Sequence, residues 1–239
     1  MDKNKEIAWL LKEKYSGKPN GGFYKDIKRL NAGEPLDYVI GFTEFLGCRI
    51  DLSKKPLIPR SETEFWVGEV IKNLKIKNLK IRCLDIFAGS GCIGIAVLKH
   101  IKNAEVVFAD IENRMAGHKV VKSDVFSNIN GKFDYIFANP PYVAKKLKHK
   151  VRKSVLKYEP KQALFGEGDG LFYIKKFLKQ AKNHLNPGGR IFMEFDGSTG
   201  SPQVPSQKKE IKKLLKSFGY KNFEFHKDQY NKWRWVSIG

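Results

Sequence analysis

The stretch Ile81-Arg82-Cys83-Leu84-Asp85-Ile86-Phe87-Ala88-Gly89-Ser90-Gly91, followed at once by Cys92-Ile93-Gly94-Ile95-Ala96-Val97, decides the fold. Ile81 to Phe87 is an apolar run of strand length, and Cys92 to Ile101 is long enough for a helix. The glycines between them mark a tight turn. A buried strand, a glycine turn and a helix make the first unit of a doubly wound α/β sheet.

The same alternation continues downstream. Glu105 to Ile111 reads as a second strand, Val120 to Val121 as a short one and Phe133 to Ala138 as a long apolar one. Leu171 to Leu185 reads as a helix, closed by the turn Asn186-Pro187-Gly188-Gly189, and Arg190 to Phe195 as the next strand. Lys208 to Phe218 is an amphipathic helix, after an apparent Ser/Pro-rich insertion from Gly197 to Gln207. Phe223 to Lys227 and Trp233 to Ile238 are closing strands, joined closely enough to pair antiparallel at the sheet edge. Upstream, Ser61-Glu62-Thr63-Glu64 has capping-box spacing and opens a helix with Val67, Val70, Ile71 and Leu74 on one face. Tyr38 to Phe42 and Phe45 to Leu52 read as the strands of a small hairpin, and residues 1–33 as one or two short helices broken at Ser16 to Gly22. The expected organisation is a short helical segment over 1–33, a hairpin linker over 34–60 and a Rossmann-like domain over 61–239.

A chain of 239 residues with 41% hydrophobic residues can bury one core and a small appendage. No apolar stretch is long and charge-free enough to cross a bilayer, and the first residues lack the pattern of a signal peptide, so a cytoplasmic protein is expected. Cys48, Cys83 and Cys92 are scattered, which argues against disulfides and against a zinc site, and the five histidines are dispersed. Net charge is +20, from 45 Lys and Arg against 25 Asp and Glu. Such a field favours encounter with RNA or the ribosome; the competing reading is a Lys-rich solvated surface. The basic tract Lys145 to Lys157 divides the same way, between contact with RNA or an acidic partner and a mobile solvated loop.

Three constellations carry chemistry. Asp85, Phe87, Ala88, Gly89, Ser90 and Gly91 form a strand-to-helix turn where backbone comes close to a ligand and helix N–H groups meet a carboxylate. The turn is neither GxGxxG nor a phosphate loop. Asp110, ending the next strand about twenty residues on, suits the two hydroxyls of a ribose. Asp124 and Val125, after the following strand, suit an adenine edge. Asn139-Pro140-Pro141-Tyr142 ends the strand Phe133 to Ala138, where open α/β sheets bind ligands. An amide or exocyclic amine nitrogen is a poor nucleophile because its lone pair is delocalised. The Asn139 carbonyl and the Pro140 backbone carbonyl can hold its two N–H bonds and aim it at a methyl sulfonium, so that catalysis is positioning and charge stabilisation. Tyr142 can pack on a planar substrate group. No metal is required.

With Gly33 to Phe45, Leu57 to Glu64, Tyr158-Glu159-Pro160 and Gly168-Asp169-Gly170-Leu171, these residues resemble the HemK/PrmC family of protein-(glutamine-N5) methyltransferases, from about Gly33 onward. The resemblance implies a class I, Rossmann-like fold with a mostly parallel seven-stranded sheet, and S-adenosylmethionine as methyl donor. It implies a glutamine as acceptor, in the Gly-Gly-Gln loop of a peptide chain release factor, or in a ribosomal protein for a sister group. By position, Phe87 to Gly91, Asp110 and Val125 hold the donor, with Asn139 shared between donor and acceptor. Asn139, Pro140, Pro141 and Tyr142 hold the glutamine, and Arg60, Glu62 and Thr63 stand near its entrance. The chain departs from the family in having Phe87 where Gly is usual, in a segment Glu112 to Lys119 too short for the usual helix, and in a shorter region before Gly33. Two other readings stay open: a methyltransferase of adenine-N6 or guanine-N2 amino groups in RNA or DNA, and a ribosome-associated binding protein without catalysis.

Overall fold

The apolar run from Ile81 is the middle of the molecule. In a computed structural model describing residues 2–74, 80–197 and 206–239, it forms a central strand buried on both faces. In chain order the elements are α1 (Lys3–Tyr15), α2 (Gly21–Asn31), α3 (Leu36–Ile40), β1 (Phe42–Phe45), β2 (Cys48–Asp51) and α4 (Ser61–Asn73). Then follow β3 (Ile81–Ile86), α5 (Cys92–His100), β4 (Ala104–Asp110), β5 (Val120–Lys122) and β6 (Phe133–Ala138). The chain ends with α6 (Lys153–Tyr158), α7 (Phe172–Ala181), β7 (Leu185–Glu194), α8 (Gln207–Ser217), β8 (Phe223–Lys227) and β9 (Trp233–Ile238). The 7-stranded sheet has the order β5-β4-β3-β6-β7-β9-β8. All pairings are parallel except those of β9, which runs antiparallel to both β7 and β8.

Alternation along the strands feeds two cores. Leu84, Ile136, Ile191 and Met193 meet Phe177 and Leu178 of α7 and Ile211 and Leu215 of α8 on one face. Cys83, Phe137, Phe192 and Trp235 meet Trp66 and Val67 of α4 and Ile93 and Val97 of α5 on the other. Cys83 and Cys92 are thus packing residues, and all three cysteines are free and buried. A third cluster joins α1, α2 and α3 through Leu10, Phe23, Leu30, Val39 and Ile40.

Several local expectations shift. Tyr38, Val39 and Ile40 read as a strand but form the helical turn α3. All three are buried, and they serve two cores at once, with Tyr38 on the main side and Val39 and Ile40 on the α1–α2 side. A helical turn can spread consecutive side chains that way, and burial overrides the β preference of Val and Ile. Gly41 then closes the turn at φ 98°, and the hairpin is the shorter pair β1–β2. The capping box does not form. Arg60 occupies the N-cap position of α4 without a side-chain cap, and the Glu64 carboxylate instead accepts the backbone N–H of Leu46 at 2.7 Å, which ties the hairpin to the helix. The turn Asn186 to Gly189 lies inside β7 as a register shift opposite Phe133 to Tyr135, where Asn186 Nδ2 donates to Asp134 Oδ1 at 2.7 Å. The helix expected to reach Leu185 stops at Ala181 and is followed by a 3-10 turn. The tract from Lys145 is not an irregular loop: it forms a 3-10 turn, Lys145–Lys150, and then α6, whose Tyr158 hydroxyl donates to the Ala32 carbonyl at 2.9 Å. Residues 198–205 of the expected insertion lie outside the described residues.

Candidate active site

The carboxyl ends of β3, β4, β5 and β6 open into one cavity of about 440 Å³. Its walls include Phe87, Ala88, Gly89, Ser90, Asp110, Asp124, Val125, Asn139 and Pro141, together with Arg60 and Thr63 from the start of α4. The strand-end position expected for a ligand site is therefore where these residues meet.

The glycine turn is fixed from below and from the side. Buried Asp85 accepts the Gly94 N–H at 2.8 Å and so anchors the first turn of α5. It is not on the cavity wall, and burial pushes its carboxyl up to about 8. Gly91 also stands off the wall. It takes φ 76°, and a Cβ there would come within 2.3 Å of the Met115 methyl. Gly89 N donates to Asp110 Oδ2 at 2.8 Å and Glu112 N to Oδ1 at 3.1 Å. Burial raises the Asp110 carboxyl, and these two amides oppose the rise. Two backbone donors in fixed places hold the carboxylate at the cavity with lone pairs left for hydroxyls. Val125 contributes backbone at φ 57°, while the exposed Asp124 carboxylate is paired with Lys176.

Phe87 adopts φ 62°, a left-handed conformation that costs a residue with a Cβ about 1–2 kcal/mol. A glycine would take this conformation without that strain. In this chain the ring packs edge-on to Tyr173, with centroids 6.3 Å apart, and against Phe177.

Asn139 follows β6 directly. Its Nδ2 lies 3.4 Å from Thr63 Oγ1, and Thr63 in turn donates to Glu194 Oε2 at 2.7 Å. Tyr142 donates to Glu194 Oε1 at 2.9 Å. Burial holds the Tyr142 phenol well above its ordinary range, so it stays a donor. Pro140 and Tyr142 do not form cavity wall, whereas Pro141 does. The tyrosine therefore braces the loop from beneath. The loop is also pressed on a second backbone: a Cβ at Gly166 would meet the Pro141 carbonyl at 2.4 Å.

Arg60 lines the cavity and donates through Nη2 to both oxygens of buried Glu159, at 2.9 and 3.0 Å. Glu159 also accepts the Ile58 N–H at 3.1 Å. Glu62 stands apart from the wall and is bonded to Ser61. Neither Glu159 nor Glu194 had a role assigned from sequence. For Glu194 a signal existed, a lone carboxylate inside the apolar run Ile191 to Phe195 at a strand's carboxyl end.

No helix forms between β4 and β5. Glu112, Arg114 and Gln162 wall that side instead. Arg114 pairs with Glu112 at 2.6 Å and reaches the Lys54 and Lys55 carbonyls, while Lys54 Nζ donates to the Met115 carbonyl at 2.9 Å. Among the described residues, no group of three or more His, Cys, Asp or Glu side chains gathers as a metal site, and no helix is long and apolar enough to cross a membrane.

A family model described as methyltransferase small domain matches residues 69–172. A release factor glutamine methyltransferase of Lactococcus lactis subsp. lactis is 33% identical, covering 98% of this chain and 88% of its own. The chain belongs to the release factor glutamine methyltransferase family. A second relative of that name, from Flavobacterium psychrophilum, is 34% identical over 88% of this chain and 77% of its own. Among solved structures, a ribosomal protein L11 methylase of Lactobacillus delbrueckii subsp. bulgaricus superposes with a TM-score of 0.52, at 17% identity over 80% of this chain and 83% of that one. At that identity the match shows the fold alone. In this chain the cavity is built by β3, β4 and β6, and the segment after β4 is a loop clasped to Lys54 and Lys55, just past the hairpin.

Proposed function

We propose that the chain transfers the methyl group of S-adenosylmethionine to the side-chain amide nitrogen of a glutamine in the Gly-Gly-Gln loop of a class I peptide chain release factor. The observation that carries this reading is Asn139 at the carboxyl end of β6, on the wall of the same cavity as Asp110. The fit to the donor rests on chemistry present in the site. Asp110 is a carboxylate held open for ribose hydroxyls by two backbone amides. The cavity, at about 440 Å³, is in the range of small-molecule sites, about 300–1,000 Å³. When bound, S-adenosylmethionine supplies an electrophilic methyl on a sulfonium. Phe87 to Ser90 hold the donor against the turn, and Val125 borders its adenine. Asn139, on the wall, takes one N–H bond of the acceptor amide, and the backbone carbonyl of Pro140, next in the chain although its residue stands off the wall, is assigned the other, which fixes the nitrogen in line. Arg60, clamped by Glu159, stands at the entrance for the acceptor loop. The amide nitrogen sheds its proton after methylation, so no strong base is needed.

We assign this activity to the cytoplasm, where a release factor would meet the ribosome. The lysines from Lys145 to Lys157 follow the Asn139–Tyr142 loop and are largely exposed, and we assign them to an acidic face of the partner or to nearby RNA. The test is peptide mass spectrometry after incubation with S-adenosylmethionine and a matched release factor, and separately with ribosomes. One added methyl on the Gly-Gly-Gln glutamine is the expected result. A methyl on a ribosomal protein or on RNA would move the acceptor, and no methyl on any of them would end the reading.

A further inference from the structure

The buried carboxylate Glu194, 1% exposed beneath the Asn139 loop, has no part in the chemistry above. It receives three donors: Thr63 Oγ1 at 2.7 Å and Trp66 Nε1 at 2.7 Å on Oε2, and Tyr142 Oη at 2.9 Å on Oε1. We propose that Thr63 and Glu194 are positioning residues that set which end of the Asn139 amide faces the acceptor. This inference rests on the methyl-transfer reading.

A carboxamide has two ends of nearly equal size, one donating and one accepting. Only the accepting end holds a substrate N–H. The indole of Trp66 is a donor and nothing else, so Oε2 of Glu194 must be an acceptor. Thr63 has one hydroxyl proton, and the short contact to the same Oε2 takes it. What Thr63 offers Asn139 is therefore a lone pair, which Nδ2 meets at 3.4 Å. That leaves Oδ1 as the end of Asn139 that Thr63 does not engage, on a residue that lines the cavity. Direction passes from an obligate acceptor through one hydroxyl to the amide. The reverse orientation would point the NH2 group at substrate N–H bonds and leave Thr63 with two lone pairs facing a carbonyl.

The test is a variant series on the full chain, read by glutamine methylation and by calorimetric binding of S-adenosylmethionine. Thr63→Val keeps the shape and removes the relay, and kcat falls about 100-fold, the loss typical of a misplaced reacting group. Donor Kd holds near wild type, because the change lies in orientation, while the melting temperature falls because buried Glu194 loses a donor. Thr63→Ser restores most of kcat. Glu194→Gln keeps a carbonyl for Trp66 and Thr63, so kcat falls by far less than in Thr63→Val. The Thr63→Val/Glu194→Gln double variant is no slower than Thr63→Val alone, since Glu194 acts through Thr63. Wild-type kcat in Thr63→Val, or losses that multiply in the double variant, would overturn the inference while leaving methyl transfer in place. A wild-type protein that methylates nothing would strike the underlying reading instead.

Discussion

Replacing Gly91 by alanine tests the physical reason for the glycine turn. Gly91 sits at φ 76°, where a residue with a Cβ is strained by about 1–2 kcal/mol. The added Cβ would lie 2.3 Å from Cε and 2.5 Å from Sδ of Met115, which is 1% exposed and closes the loop after β4. Overpacking adds about 1–3 kcal/mol, toward the low end because the far end of a methionine can turn aside. The sum is a loss of about 2–4 kcal/mol. Met115→Ala removes the obstacle, so in that background Gly91→Ala costs only the backbone strain. The two changes then couple by about 1 kcal/mol or more. Urea unfolding of the four proteins measures this directly, with equal slopes confirming a common transition. Equal cost of Gly91→Ala in both backgrounds would refute the contact. No cost in either would refute the left-handed turn as well.

Three further outcomes follow from the site. Asn139→Ala removes the acceptor that orients the amide, so single-turnover transfer drops about 100-fold or more while calorimetric donor affinity stays close to wild type; full activity would sink the mechanism. Asp110→Asn keeps the shape but loses the charge-assisted bonds, worth about 1.5–3 kcal/mol, so donor Kd weakens about tenfold to a hundredfold; an unchanged Kd would move the ribose elsewhere. Asp85 has one carboxylate oxygen without a partner and a carboxyl pushed from 3.8 up to about 8 by burial. The folded state therefore keeps a proton that the unfolded chain releases above its ordinary value. This contribution to stability is full below 3.8 and is lost as pH rises toward about 8, by about 1.4 kcal/mol per unit at most. Asp85→Asn removes that dependence, so its stability relative to wild type improves from pH 5.5 to pH 8.5 in denaturant titrations, and a constant difference would contradict the assignment.

The middle of the sheet was legible because its inner strands are mostly buried. Runs such as Ile81 to Ile86 and Phe133 to Ala138 have no polar face to confuse the reading, and the glycines and Asp110 mark where they stop. The region between Pro35 and Leu52 was less legible. Tyr38 to Ile40 carries a strand-like composition, and the two separate cores that claim its side chains are visible only in three dimensions. Glu64 shows the same limit, since the partner it takes, Leu46, comes from the hairpin. Of the site, the residues that face the cavity stood out by chemistry and position. Those that hold them did not: Glu159 grips Arg60 across 99 positions and Glu194 receives Thr63 across 131, and neither spacing is a local pattern. Tyr142 fell between the two groups. Its type suggested stacking on substrate, and its hydroxyl is spent on Glu194.

The clasp between the loop after β4 and the strap that follows the hairpin has a consequence for how the molecule is made. Where a helix would close that side of the cavity with neighbours in sequence, Lys54 and Arg114 close it across about sixty positions. Tyr38 adds a third tie, donating to the Pro56 carbonyl at 2.6 Å and holding the strap that carries Lys54. The wall on the Met115 side is thus completed only after the amino-terminal quarter of the chain has docked. A fragment beginning near Arg60 would keep β3, β4 and β6 but lose the lysine and the carbonyls that hold Arg114 and Met115. In such a fragment amide exchange should quicken at Met115 before it quickens in β3, with the donor pocket fraying from its rim inward.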